Sequence, residues 1–167
     1  MELVRTLKHW FTTPRAVRRA FPEDAMNRIR EAIVASEATH SGEIRVAFEA
    51  ALPTSYLLRD APARERALMM FSKLRVWDTE HNNGVLIYVE MADHQIEIVA
   101  DRGVAKRVSE SEWRAIADGM RDHFRTESFE AGVCDAVRAV GALLTRHFSL
   151  AEGGRNPNEL PDTPVVL

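Results

Sequence analysis

The side chains in this sequence best suited to chemistry are oxygen donors. Glu43, Asp78, Glu80, Asn82, Asn83 and Asp101 supply carboxylates and carboxamides at three places along the chain. Mixed carboxylate and amide oxygens are the donor set that a hard cation such as Ca²⁺ or Mg²⁺ takes. Gathered without a counter-charge, those carboxylates would repel one another and resist ionisation. Arg45 and Arg102 are the arginines near enough in sequence to provide that charge in place of a cation. The same residue types also build caps and turns. On that competing reading Asp78 ends a helix, Asn82-Asn83-Gly84 makes a turn and Asp101 terminates a hairpin.

Other chemistries have weaker signals. His9, His40, His81, His94, His123 and His147 show neither HxH nor HExxH spacing, which argues against a zinc centre. No GxSxG, Walker-type or GxGxxG run is present, so the simple hydrolase and nucleotide-binding readings fall away. His81 beside the acidic stretch could exchange protons, although an exposed turn histidine is the plainer reading. The single cysteine, Cys134, excludes an intrachain disulfide. It lies on an apolar helical face with Val133 and Val137, as a small buried hydrophobe would. Trp10, Trp77 and Trp113 fall on apolar helical stripes and read as core or docking residues.

The elements that must position these groups follow from periodicity. Residues 2–11 place Leu3, Val4, Leu7, Trp10 and Phe11 on one helical stripe, and Pro14 ends that helix. A second helix opens at Pro22, carries Met26, Ile29 and Ile33 inward, and stops at Gly42. EIRVAFEA (43–50) alternates, as a half-buried strand does. Residues 53–61 read as a loop, and Pro62 begins a helix through Ala67, Met70, Phe71, Leu74 and Trp77. GVLIYVE (84–90) is a continuous apolar run suited to a central strand. QIEIVA (95–100) alternates after a short turn, which completes a hairpin. Ser109 with Glu112 forms a capping box before a helix carrying Trp113, Ile116, Met120 and Phe124. Ser128 opens the last helix, through Phe148. Glycines and three prolines then argue for an extended tail over residues 151–167.

The order is thus α-α-β-α-β-β-α-α: an α/β fold, a three-layer α/β/α sandwich around a small mixed sheet. Residues 1–19 form an N-terminal amphipathic basic arm and residues 20–150 the domain. Strands 43–50 and 84–90 should run parallel through a crossover, with 95–100 antiparallel to the second. This topology brings Glu43, the stretch from Asp78 to Asn83, and Asp101 to one edge of the sheet. That edge lies at the amino ends of the parallel strands, whereas ligands of open α/β sheets usually bind at the carboxyl ends.

Composition is that of an ordinary globular domain, with 46% hydrophobic and 28% charged residues, so neither disorder nor a membrane-embedded class fits. A net charge of −3 argues against a nucleic-acid partner. The first thirty residues nonetheless carry +4 and the remainder −7, a basic arm beside an acidic body. No signal-peptide pattern and no run of ~18 apolar residues is present, so the expected compartment is the cytoplasm. The apolar stripe of the arm is expected to pack against the protein's own helices or a second subunit. Its basic flanks also suit peripheral contact with an anionic membrane.

SGEIRVAFE (41–49), WDTEHNNGVLIYVEM (77–91) and IEIVADRGV (96–104) resemble the TPM domain family. The tryptophan-bearing helix 111–124 and the last helix with Phe129 and Gly132 do so too. The resemblance spans about residues 20–150 and implies an α/β/α sandwich. It also implies divalent-cation binding in some members, acid phosphatase activity in one plant member, and a LemA-like membrane protein as partner. By resemblance the cation positions map onto Asn83-Gly84 and Asp101, while topology adds Glu43 and Asp78. Two functions follow as expectations. One is a non-enzymatic, metal-responsive interaction module that assists a membrane-associated complex. The other is a metal-dependent phosphomonoesterase with Arg102 holding phosphate oxygens.

Overall fold

Two apolar β-forming segments make the centre of the molecule. β1 (Glu43–Glu49) and β2 (Gly84–Glu90) run parallel, with Glu43 opposite Gly84 and Glu49 opposite Glu90. β3 (Gln95–Ala100) returns antiparallel to β2, pairing Val85 with Ala100. A two-residue strand, β4 (Val165–Val166), pairs with β1 at Ala47 and Phe48, giving the order β3-β2-β1-β4. The computed structural model describes residues 2–167, with side chains from residue 4 onward.

Eight helices are present among the described residues: α1 (Glu2–Phe11), α2 (Pro14–Ala20), α3 (Glu23–Glu37), α4 (Thr54–Leu57), α5 (Ala63–Lys73), α6 (Arg102–Ala105), α7 (Glu110–Arg125) and α8 (Phe129–Phe148). The alternating side chains of the strands sort the layers. Ile44, Val46, Phe48, Val85, Ile87 and Val89 join the larger core with α2, α3, α7 and α8. Ala47, Leu86, Tyr88 and Val99 face a smaller core built by Ala67 and Met70 of α5, Val76 and Leu160. The result is the expected α/β/α sandwich.

Several expectations change in detail. Pro14 starts a helix instead of only ending one, since proline at the first helical position lacks just the N–H that would be unpaired anyway. The segment 53–61 contains the short α4, and α5 ends at Lys73, before Trp77. β1 is buried at every position, including Glu43, Arg45 and Glu49, because α5 and the returning tail cover its polar face. The capping box of α7 is present, with Ser109 Oγ accepting from the Glu112 N–H and Glu112 accepting from the Ser109 N–H. Cys134 is buried.

The stripe of α1 does not pack against the protein's own helices. Val4, Leu7, Trp10 and Phe11 are exposed, and the opposite face of α1, with His9, is turned inward. Leu3 belongs to the same stripe, but its side chain lies outside the described residues. The reason is polar: His9 and Arg5, on the opposite face, find partners in the body.

Candidate cation-binding edge

Glu43, Asn83 and Asp101 sit at one end of the sheet, joined through the backbone of β2. The Glu43 N–H donates to the Asn83 carbonyl at 3.4 Å, and the Asp101 N–H donates to the Gly84 carbonyl at 2.9 Å. The turn before β2 is tight: Asn82 adopts a left-handed backbone with φ 51°. Gly84 passes so close to Val76 that a Cβ there would stand 2.0 Å from its carbonyl oxygen. Only glycine allows that approach.

Each of the three side chains is held by one set of bonds and leaves one oxygen without a partner. Glu43 Oε2 accepts from the Leu160 N–H at 3.1 Å. Asn83 Nδ2 donates to the Ser41 carbonyl at 3.0 Å and to Ser41 Oγ at 3.3 Å. Asp101 caps α6, its Oδ1 accepting from the Arg102 N–H at 2.6 Å. Glu43 Oε1, Asn83 Oδ1 and Asp101 Oδ2 are buried and unpartnered. A buried oxygen acceptor without a donor is costly, by about 1–3 kcal/mol or more when charged. Hard oxygens of this kind fit a divalent cation. Burial raises the Glu43 carboxyl above its ordinary value, and Glu159 and Asp162 add to the effect.

The other candidates lie apart. Asp78 is exposed and pairs with Arg75 at 3.9 Å. Glu80, His81 and Asn82 are exposed as well. Arg102 is exposed next to Asp101 and makes no ion pair among the described residues. Arg45 is buried beside the tail, its Nη1 donating to the Thr163 carbonyl at 2.7 Å and also to that of Pro161.

Two groups of polar residues were not singled out from the sequence. Glu37, at the end of α3, reaches the open side of β1, where its Oε1 accepts from the Ile44 N–H at 2.9 Å. Burial first, then the neighbouring Glu43 and Asp162, push its pKa up to about 8. Asp162 arrives only through the fold of the tail, so no local signal marks the pair.

The second group lies at the opposite end of the sheet. His9, Glu90 and Asp93 bring ligand-type atoms within 4.8 Å of one another. Glu90 is fully buried and accepts from the N–H groups of Ala92 at 2.7 Å and Asp93 at 2.9 Å. His9 Nδ1 accepts from the Leu52 N–H at 3.0 Å, which leaves the ring proton on Nε2, 3.0 Å from Asp93 Oδ2. That contact is short but poorly aligned as a hydrogen bond, and Nε2 has no other partner. Arg5 Nε donates to the same Asp93 oxygen at 2.7 Å, and its Nη1 pairs with Asp60. Burial alone would raise Asp93, but Arg5 and His9 outweigh it and hold the carboxylate below its usual range. With Arg5 already on Asp93 and backbone donors on both Glu90 oxygens, this end works as a clasp for α1. The position of Glu90 at a strand's carboxyl end was legible; the arrival of His9 was not.

Comparison with known proteins agrees with this architecture. No curated protein matches the chain. The NMR structure of the BA42 protein from the psychrophilic bacterium Bizionia argentinensis is similar, with 28% identity and a TM-score of 0.75, over 86% of this chain and 93% of that one. The N-terminal domain of a protein from P. gingivalis shares the fold at 22% identity and a TM-score of 0.60, covering 78% and 83% of the two chains. The family model of the TPM domain matches residues 18–143, and the chain belongs to that family.

Proposed function

We propose that this chain is a non-enzymatic module that takes up a divalent cation, Ca²⁺ or Mg²⁺, at the edge formed by Glu43, Asn83 and Asp101. The cation tunes its contact with a protein of a membrane-associated complex, of the LemA-like kind the family resemblance implied. The observation that carries the cation reading is the trio of buried oxygens without partners at that edge. Two are carboxylate oxygens, and a divalent ion is the kind of ligand that would meet their unmet bonding. Melting curves across a Ca²⁺ and Mg²⁺ titration test it. Preferential binding to the folded chain raises the melting temperature, by the equivalent of about 2.7 kcal/mol at a hundredfold excess over Kd. Asp101→Asn should remove most of that rise, and a wild-type curve unmoved by either ion rejects the site.

A second reading, a metal-dependent phosphomonoesterase, is favoured by one observation: Arg102 stands exposed beside Asp101, without an ion pair among the described residues. A guanidinium so placed can hold phosphate oxygens in a two-pronged contact. Hydrolysis of an aryl phosphate would then require added metal. It would also fall by at least ~100-fold, about 2.7 kcal/mol, in the Glu43→Gln, Asp101→Asn double variant. Absence of metal-dependent hydrolysis leaves the module reading in place.

A further inference from the structure

Amphipathic helices on a globular body ordinarily turn their apolar stripe inward. α1 does the reverse. Its inward face is held by ion pairs and hydrogen bonds, Arg5 to Asp93 and Asp60, and His9 to the Leu52 N–H and Asp93. Its outward face shows Val4 at 72%, Leu7 at 41%, Trp10 at 64% and Phe11 at 81% exposure. α4 packs against α1, and Leu58 at its end is 83% exposed. This is a contiguous run of large apolar side chains on one helix, in a position fixed by the clasp beneath it.

Cations on α1 and on α2, the next helix along the chain, indicate its occupant. Lys8 on α1, and Arg15, Arg18 and Arg19 on α2 just beyond Thr12-Thr13, are exposed. None of the four makes an ion pair among the described residues, although most other exposed arginines of the chain do. A symmetric contact between two copies through the stripe would set these unneutralised cations against their own equivalents. An anionic bilayer offers the complement of both features. Its headgroups neutralise the cations, and its interface takes apolar and aromatic side chains to shallow depth. We infer that α1 is a membrane-docking helix, which lies in the plane of an anionic lipid surface with Leu7, Trp10 and Phe11 inserted and the domain clasped beneath it. No helix of the described residues is long and apolar enough to cross a membrane, so this contact is peripheral.

The test is co-sedimentation of the full chain with vesicles of phosphatidylcholine containing about one-third phosphatidylglycerol, against phosphatidylcholine alone. Chelator is present throughout, so the outcome does not depend on the cation edge. The expected result is binding to the anionic vesicles only, weakened at least ~10-fold when salt shortens the Debye length. Trp10→Ser with Phe11→Ser abolishes binding, and Arg18→Glu with Arg19→Glu reduces it. All four side chains are exposed, so melting temperatures of both variants should match the wild type, and that control is measured. Failure of the wild-type chain to bind anionic vesicles overturns the inference. A concentration-dependent dimer in light scattering, lost in the Trp10→Ser, Phe11→Ser variant, also overturns it and assigns the stripe to a second copy.

Discussion

The imidazole of His9 and the carboxylate of Asp93 meet at 3.0 Å, joining the first helix to the turn between β2 and β3. The same ring accepts the buried Leu52 N–H, so a single side chain ties α1 to two separate loops. His9 thus shares with Arg5 the task of holding the arm in position.

His9→Ala should therefore loosen the arm more than the core. Leaving the Leu52 N–H without an acceptor costs about 1–3 kcal/mol. Amide exchange should speed up across residues 2–11 and around Leu52, while β1 and β2 keep their protection. Unchanged exchange in α1 would mean that Arg5 alone is sufficient to hold it.

The carboxyl of Glu37 predicts an unusual pH profile. Its pKa is pushed up to about 8 in the folded chain from an ordinary 4.5. Between those two pH values the folded state holds a proton that the unfolded state has released. This group's contribution thus makes stability fall as pH rises through that window. Glu37→Gln keeps an oxygen acceptor for the Ile44 N–H and removes the titration. Denaturant unfolding should show a flatter pH dependence for the variant, and a gain of at least ~1 kcal/mol over wild type at the alkaline end. Parallel profiles for the two proteins would show that Glu37 is ionised in the folded chain.

Gly84→Ala bears on the edge itself. The added methyl would meet the Val76 carbonyl oxygen at 2.0 Å, and because that atom is backbone the strand or the preceding turn must move. A loss of roughly 2 kcal/mol or more is expected from such overpacking. Since Glu43 pairs with Gly84 across the sheet, the response to Ca²⁺ or Mg²⁺ should weaken in the same variant. A fully stable Gly84→Ala protein would show that the turn has slack.

Much of this architecture could be read in the sequence, because the strands and long helices announce themselves by period. EIRVAFE and GVLIYVE fix the parallel pair, and Ser109 with Glu112 fixes the start of α7. With strand directions known, the placement of Glu43, Asn83 and Asp101 at one edge followed from topology alone. What could not be read depends on long-range return of the chain. Glu43 and Arg45 are buried because residues 160–163 fold back over them, and nothing local in EIRVAFE distinguishes that from a solvent-facing strand surface. The orientation of α1 was illegible for a related reason. Its periodicity shows that there are two faces, but which one turns inward was decided by Asp93, Asp60 and the Leu52 N–H in distant loops.

The returning tail has a consequence for biogenesis. Glu43 and the Leu160 N–H that serves it are separated by 117 positions, and β1 gains its second neighbour only from Val165 and Val166. Domains fold as units during synthesis, starting from the N-terminal part. Here the larger helical layer can assemble once α8 has emerged, but β1 keeps one bare side with a charged glutamate and arginine until residues 160–166 have left the ribosome. Residues 160–166 thus complete the sheet, and a nascent chain stalled shortly before them would display an open strand to any neighbour.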